Sequence, residues 1–273
     1  MTRSIACLAA LLALAFFAPA HAQFSRLLDS VKNQVERKAT EQVERVMDGE
    51  PAAATGTGPA QRLEVVASSG FVPGNLVLMQ DGFVDTEDGA MPRTWKTNGS
   101  GQLIQIRQVP GRWLDLQASA IYKLATPIDL PERFTIEFDL LAIVESIDDL
   151  YPVEFGFAHD GSVAGNREIN KVGLQYYNSD KFLVTSRATD YYHESRFDLR
   201  GYANRPMPVA IAVDGEQMQV YLDGSKVSDA RLFRDNASRH FYLVAPSRMD
   251  HGARLAFGNF RVAAFGEDLA GLD

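Results

Sequence analysis

The chain has 273 residues, and its 27 Lys and Arg against 35 Asp and Glu give a formal net charge of −8. An acidic balance without any basic block argues against nucleic acid, and against a bulk anionic membrane, as a partner. Its one cysteine, Cys7, excludes an internal disulfide and a cysteine metal site.

The N-terminus reads as a secretory signal over residues 1–22. Arg3 supplies the positive start, Ile5 to Phe17 form a short apolar core, and Ala20-His21-Ala22 fits a small-x-small cleavage site. Cys7 lies inside this segment, so the mature chain, starting at Gln23, is expected to be thiol-free. That apolar run is too short for a comfortable membrane span, and no later stretch approaches the roughly 20 apolar residues one needs. Export without disulfides suits a bacterial envelope protein that is periplasmic, outer-membrane-associated or secreted.

Residues 23–48 carry a helical pattern. Phe24, Leu28, Val31, Val35, Ala39, Val43 and Val46 recur at spacings of three and four, and charged residues fill the remaining positions. Glu41 and Arg45 stand at the i,i+4 spacing of a supporting ion pair. One narrow stripe suits docking on a neighbouring domain, homo-oligomerisation as a short coiled coil, or interfacial membrane attachment. Residues 49–60, GEPAAATGTGPA, form a small-residue linker.

From Gln61 the period changes to two. Leu63, Val65 and Ala67 suggest an opening strand, and Leu76, Leu78 and Gln80 a second. Two more lie around Pro110-Gly111, from Leu103 to Ile106 and from Trp113 to Leu116. The run Arg133–Val144 sends Phe134, Ile136, Phe138 and Leu140 one way and Thr135, Glu137, Asp139 and Leu141 the other. Val153–Phe157, Val172–Tyr176 and Phe182–Val184 repeat the arrangement. Val209–Leu222 forms a hairpin about Asp214-Gly215, and Phe241–Val244 with Arg254–Val262 makes a final pair. About a dozen short strands predict an all-β antiparallel sandwich over residues 61–265, with a tail at 266–273.

Three groups of residues carry candidate chemistry. Asp81, Asp85, Glu87 and Asp88 crowd one loop with hard oxygen ligands suited to calcium, although the spacing is not that of an EF-hand and acidic surface loops are common. Tyr177, Tyr191 and Tyr192, with Asn178 and Arg187, offer flat rings and directional polar groups of the kind a sugar needs; tyrosines also fill sandwich cores. Glu137, Asp139 and Glu154 are the candidate acids. His159, His193, His240 and His251 show no zinc spacing, and there is neither a nucleophile elbow nor a phosphate loop.

The hairpin ending Tyr221-Leu222-Asp223-Gly224 resembles the late hairpin of concanavalin A-like lectin/glucanase jelly rolls, laminin-G-like modules among them. Asp81-Gly82-Phe83 followed by Pro92-x-x-Trp95, FTIEFDL at Phe134–Leu140 and Gly258-Asn259-Phe260 resemble other parts of that fold. The charged helix with Gly70–Gly74 is also similar to the N-terminal half of some OmpA-related envelope proteins, without their peptidoglycan-binding domain. The resemblance implies a jelly roll that is either a lectin-like module, with a glycan or an envelope protein as partner, or a glucanase. A retaining glucanase carries Glu-x-Asp-x-x-Glu on one strand. Glu137 and Asp139 fit its first two positions, but Ala142 occupies the third, which points away from catalysis.

Overall fold

Alternation along Arg133–Ile143 sets the middle of the molecule. Phe134, Ile136, Phe138 and Leu140 are buried inward, while Glu137 and Asp139 stay half-buried on the other face. The computed structural model describes residues 70–235 and 237–266, and the expected signal, helix, linker and first strand lie outside them. The strands in chain order are β1 Leu76–Asp81, β2 Trp95–Thr97, β3 Gly101–Ile106, β4 Val109–Leu116, β5 Ile121–Leu124, β6 Arg133–Ile143, β7 Val153–Ala158 and β8 Glu168–Gln175. They continue with β9 Lys181–Ser186, β10 Tyr191–Arg196, β11 Pro206–Asp214, β12 Gln217–Leu222, β13 Ser225–Arg231, β14 His240–Val244 and β15 Arg254–Ala264.

They form two antiparallel sheets. The first runs β13-β12-β11-β6-β15-β4-β3, with β1 also on β15; the second runs β10-β9-β8-β7-β14-β5-β2. Between them lies an aromatic interior in which Phe138 meets Phe155, Phe241 and Phe257 at ring separations of 5.2 to 5.6 Å. Tilted and edge-on contacts at these distances suit the ring quadrupoles. Trp95 packs edge-on to Phe257 and Phe260. The expected all-β sandwich is therefore what the chain forms, and among the described residues there is no α-helix.

The pairing overturns two sequence expectations. Phe241–Val244 and Arg254–Val262 do not pair: β14 belongs to the second sheet, between β7 and β5, and β15 to the first, beside β6. Pro110-Gly111 is not the turn, because the chain reverses at Arg107-Gln108 and Pro110 lies within β4. The strand expected over Leu76, Leu78 and Gln80 forms as β1. A bulge between Val77 and Met79 breaks the register on β15, and Leu76, Val77 and Leu78 remain exposed.

The Pro208–Gly224 hairpin forms as its alternation requires. Val209 pairs with Leu222 and Val213 with Met218, and Gly215 turns the chain at a φ of 58°, where a side chain would be strained. Its outward residues on β11 are Pro208, Ala210 and Ala212. Three small or compact side chains in a row leave a trough on the outer face of the first sheet.

Candidate functional site

The register fixes what borders this trough. Ala210 sits between Tyr221 of β12 and Glu137 of β6, and Pro208 sits beside Asp139, whose other neighbour is Gly258 of β15. Asp139 is thus flanked by a proline and a glycine, neither of which can crowd it or pair with it. The segment Gly70–Gly74 crosses the sheet above. It is held where the Gly74 N–H donates to Thr135 Oγ1 at 3.0 Å and Arg261 Nη2 donates to the Gly74 carbonyl at 2.7 Å. This crossing seats Phe71 on Tyr221, with ring centroids 5.2 Å apart.

Phe71 divides the trough into two depressions of about 340 Å³ each. The first holds Glu137, Asp139, Asn259, Tyr221 and Phe71. The second lies toward Val72, Phe265, Arg133, Gln217 and Gln219. Each falls within the range of about 300–1,000 Å³ typical of small-molecule sites.

Asn259 owes its position to a bulge. The register between β15 and β6 slips between Gly258 and Arg261, and Asn259 takes a φ of 53°. Asparagine tolerates the left-handed region better than most residues. The bulge points its amide outward to donate to Asp139 Oδ2 at 2.6 Å, while Phe260 stays in the core. Glu137 accepts from Arg261 Nη1 at 2.5 Å. Burial pushes the Asp139 carboxyl above its usual range, against the opposing effect of the Asn259 hydrogen bond. Burial likewise raises the Tyr221 hydroxyl, which donates to Gln219 Oε1 at 2.8 Å.

The sequence-nominated residues fall in several places. Glu137 and Asp139 share the trough. Glu154 lies on β7 in the other sheet, where it accepts from Lys171 at 3.0 Å. Ala142, at the third glucanase position, is buried in the core. Tyr177 and Asn178 occupy a 3-10 turn after β8, where Tyr177 stacks on Tyr151 at 5.4 Å. Arg187 lies at the opposite end of the β8–β9 hairpin: its N–H donates to the Ile169 carbonyl, and its guanidinium pairs with Glu168 at 3.0 Å. The length of β9, roughly 20 Å, separates these two ends. Tyr192 is exposed on the outer face of β10, and Tyr191 packs against the core beside Glu216 and Arg231. The five residues do not converge on one surface.

Two of the four carboxylates of the acidic loop are likewise committed to the protein. Asp81 is buried, accepting from the Phe83 N–H at 2.9 Å, Thr94 Oγ1 at 2.5 Å and Trp95 Nε1 at 3.1 Å. It ties the Asp81-Gly82-Phe83 turn to Trp95. Asp88 accepts from Arg112 at 2.5 Å and Gln105 at 2.7 Å, whereas Asp85 and Glu87 face solvent. Among the described residues no group of three or more His, Cys, Asp or Glu side chains could hold a metal ion.

Two wider depressions, of about 670 and 680 Å³, lie around Glu216 and Asp235. Two of their cations are engaged: Arg231 pairs with Glu216, and Arg239 donates to the Pro131, Glu132 and Gly215 carbonyls. The residues that shape the trough, Phe71, Tyr221, Asn259 and Arg261, were not among the candidate site residues read from sequence, although Tyr221 and Asn259 belong to motifs that carry the fold resemblance. The available signal was Gly258-Asn259 within an apolar strand, since a glycine inside a strand marks a bulge or a close approach.

No protein-family model matches the chain, and no curated protein matches it. Among solved structures, the chain is similar to the carbohydrate recognition domain of Emp47p, with a TM-score of 0.48 and 13% identity over 65% of this chain and 91% of that one. It is also similar to the exoplasmic/lumenal domain of VIP36 in its Ca2+/Man3GlcNAc-bound form, with a TM-score of 0.46 and 12% identity over 64% and 85%. The carbohydrate binding module CBM66 from Bacillus subtilis gives a TM-score of 0.43 and 13% identity over 63% and 96%.

Proposed function

We propose that the chain is an exported, non-catalytic, lectin-like module that binds a glycan in the trough on the outer face of the first sheet. The carrying observation is the trough itself. A floor of Pro208 and Ala210 lies between an aromatic wall, Phe71 on Tyr221, and the hydrogen-bonding pair Asp139 and Asn259. Sugars present an apolar face of C–H groups and a rim of hydroxyls, so recognition needs a flat apolar surface beside fixed donors and acceptors. Two depressions in line along β11 suit an oligomer rather than a single sugar.

The commitments of the carboxylates support binding over hydrolysis. Glycosidic cleavage asks for two free acids flanking the bond. Here Glu137 is held by Arg261, and Ala142 stands at the third position. The secretory signal read from sequence at residues 1–22 supports a location outside the cytoplasm.

The test is a glycan array with the full chain beside the Phe71→Ala and Tyr221→Ala variants. The expected result is retention on a glycan class by the native chain, loss in both variants, and oligosaccharides returned uncut. Equal retention by all three proteins would overturn the site, and release of shortened products would overturn the non-catalytic reading.

A further inference from the structure

Resting on that reading, we infer that the trough is selective for a glycan carrying a protonated amine, with Asp139 as the counter-charge of an amino sugar. The charges around the depression are otherwise matched. Arg261 is taken by Glu137, Lys226 by Asp229 at 2.8 Å, and Arg205 by Asp223 at 3.1 Å. Asp139 has only the neutral Asn259 amide as its hydrogen-bond partner, and Pro208 and Gly258 on either side contribute no cation. The first depression therefore holds one uncompensated carboxylate.

That carboxylate is also poorly solvated, and burial is the larger cause of its raised pKa. A half-buried charge without a partner carries part of the desolvation cost, and an arriving cation recovers it. A neutral sugar hydroxyl satisfies only its hydrogen bonds. The Phe71 ring beside it, propped from below by the buried Tyr221, attracts an ammonium group through its electron-rich face and covers the sugar's C–H surface at the same time. Acidic sugars are disfavoured, because a uronate would meet Asp139 without a free cation to offset the repulsion.

The experiment is calorimetric titration of the full chain, near neutral pH, with a fully de-N-acetylated glucosamine tetramer and with the N-acetylglucosamine tetramer. The two probes share a backbone and differ in the amine charge. The expected result is roughly tenfold or tighter binding of the de-N-acetylated tetramer, the range of a charge-assisted hydrogen bond. In Asp139→Asn the ratio between the two affinities should fall to about one, with the fold checked by thermal melting. Equal affinity for both tetramers in the native chain, or a preference that survives in Asp139→Asn, overturns the amine selectivity and leaves the glycan reading standing. Failure to bind either tetramer, together with no Phe71-dependent retention on the array, overturns both.

Discussion

Asn259 donates its side-chain amide to Asp139 Oδ2 at 2.6 Å, from a backbone held at a φ of 53° by the bulge between Gly258 and Arg261. A strained residue is thus spent on a carboxylate that no cation neutralises. Such strain collects at sites where the arrangement, not stability, is what the fold preserves.

Asp139→Asn raises stability at neutral pH. The folded-state pKa of Asp139 lies above its unfolded value, so the native state favours the protonated carboxyl. A carboxyl raised in this way lends its favourable contribution below the unfolded pKa of about 4 and loses it as pH rises through the folded value. At neutral pH the ionised group is therefore a liability, which asparagine removes while still accepting from Asn259. Thermal melts should show the variant above the native chain at neutral pH, with the gap closing near about pH 3.5. A lower melting temperature for the variant at neutral pH would refute the claim that Asp139 is uncompensated.

Gly74→Ala releases the segment that carries Phe71. A Cβ at Gly74 would lie 2.6 Å from the Ala264 carbonyl oxygen and 2.7 Å from that of Ala263, and backbone oxygens cannot swing aside. The expected cost is about 1–3 kcal/mol by equilibrium denaturation, the range for overpacking. Because the Gly74 N–H bond to Thr135 and the Arg261 bond to Gly74 both locate Phe71, glycan retention should fall as well. Phe71→Ala offers the contrast: its half-buried ring covers Tyr221 from outside, so retention falls with little change in melting temperature.

Sequence alternation revealed the sheets because one face of each strand is buried and period two leaves no freedom in which. Phe134, Ile136, Phe138 and Leu140 all face the core as their spacing requires. Which strands are neighbours is a different kind of information. β14 and β15 are consecutive along the chain yet lie in opposite sheets, since a sandwich connection can cross between layers. The trough was invisible for a related reason. Its floor consists of alanines and a proline that look unremarkable in sequence, and its walls come from residues 71, 221 and 259, joined only by register. The tyrosine group failed to converge because an antiparallel hairpin sends residues on either side of one strand to opposite ends, separating Asn178 from Arg187.

Phe138→Ala unfolds the centre of the aromatic interior. The side chain is 2% exposed and touches Phe155 and Phe241 of the opposite sheet and Phe257 of its own. Truncating a buried phenylalanine leaves a cavity and typically costs about 3–5 kcal/mol. Urea denaturation should show a loss of that size, and Phe138→Leu a smaller one. A loss below about 1 kcal/mol would mean that the core closes around the gap.

His251 and Asp149 clasp one end of the sandwich, and their clasp confines stability to a pH window. His251 Nδ1 lies 2.8 Å from Asp149 Oδ1, joining the turn before β15 to the turn before β7. Around them Leu150 bridges Met249, the Asp250 N–H donates to the Asp149 carbonyl, and Arg248 lies 4.4 Å above the Tyr151 ring. The hydrogen bond between the two groups is the largest cause of a raised His251 pKa and of a lowered Asp149 pKa. For the raised histidine, the stabilisation is complete below its unfolded pKa of about 6.5 and is lost as pH rises through the folded value. For the depressed aspartate, it is present above about pH 4 and is lost as pH falls through the folded value. The two conditions overlap near pH 5. The melting temperature of the native chain should therefore exceed that of His251→Ala most at about pH 5, and the difference should shrink by about pH 8.5. Asp149→Asn should reproduce that profile, because either substitution breaks the same pair. A gap between native and His251→Ala that stays constant from pH 5 to pH 8.5 would show that the histidine contributes by packing rather than by charge.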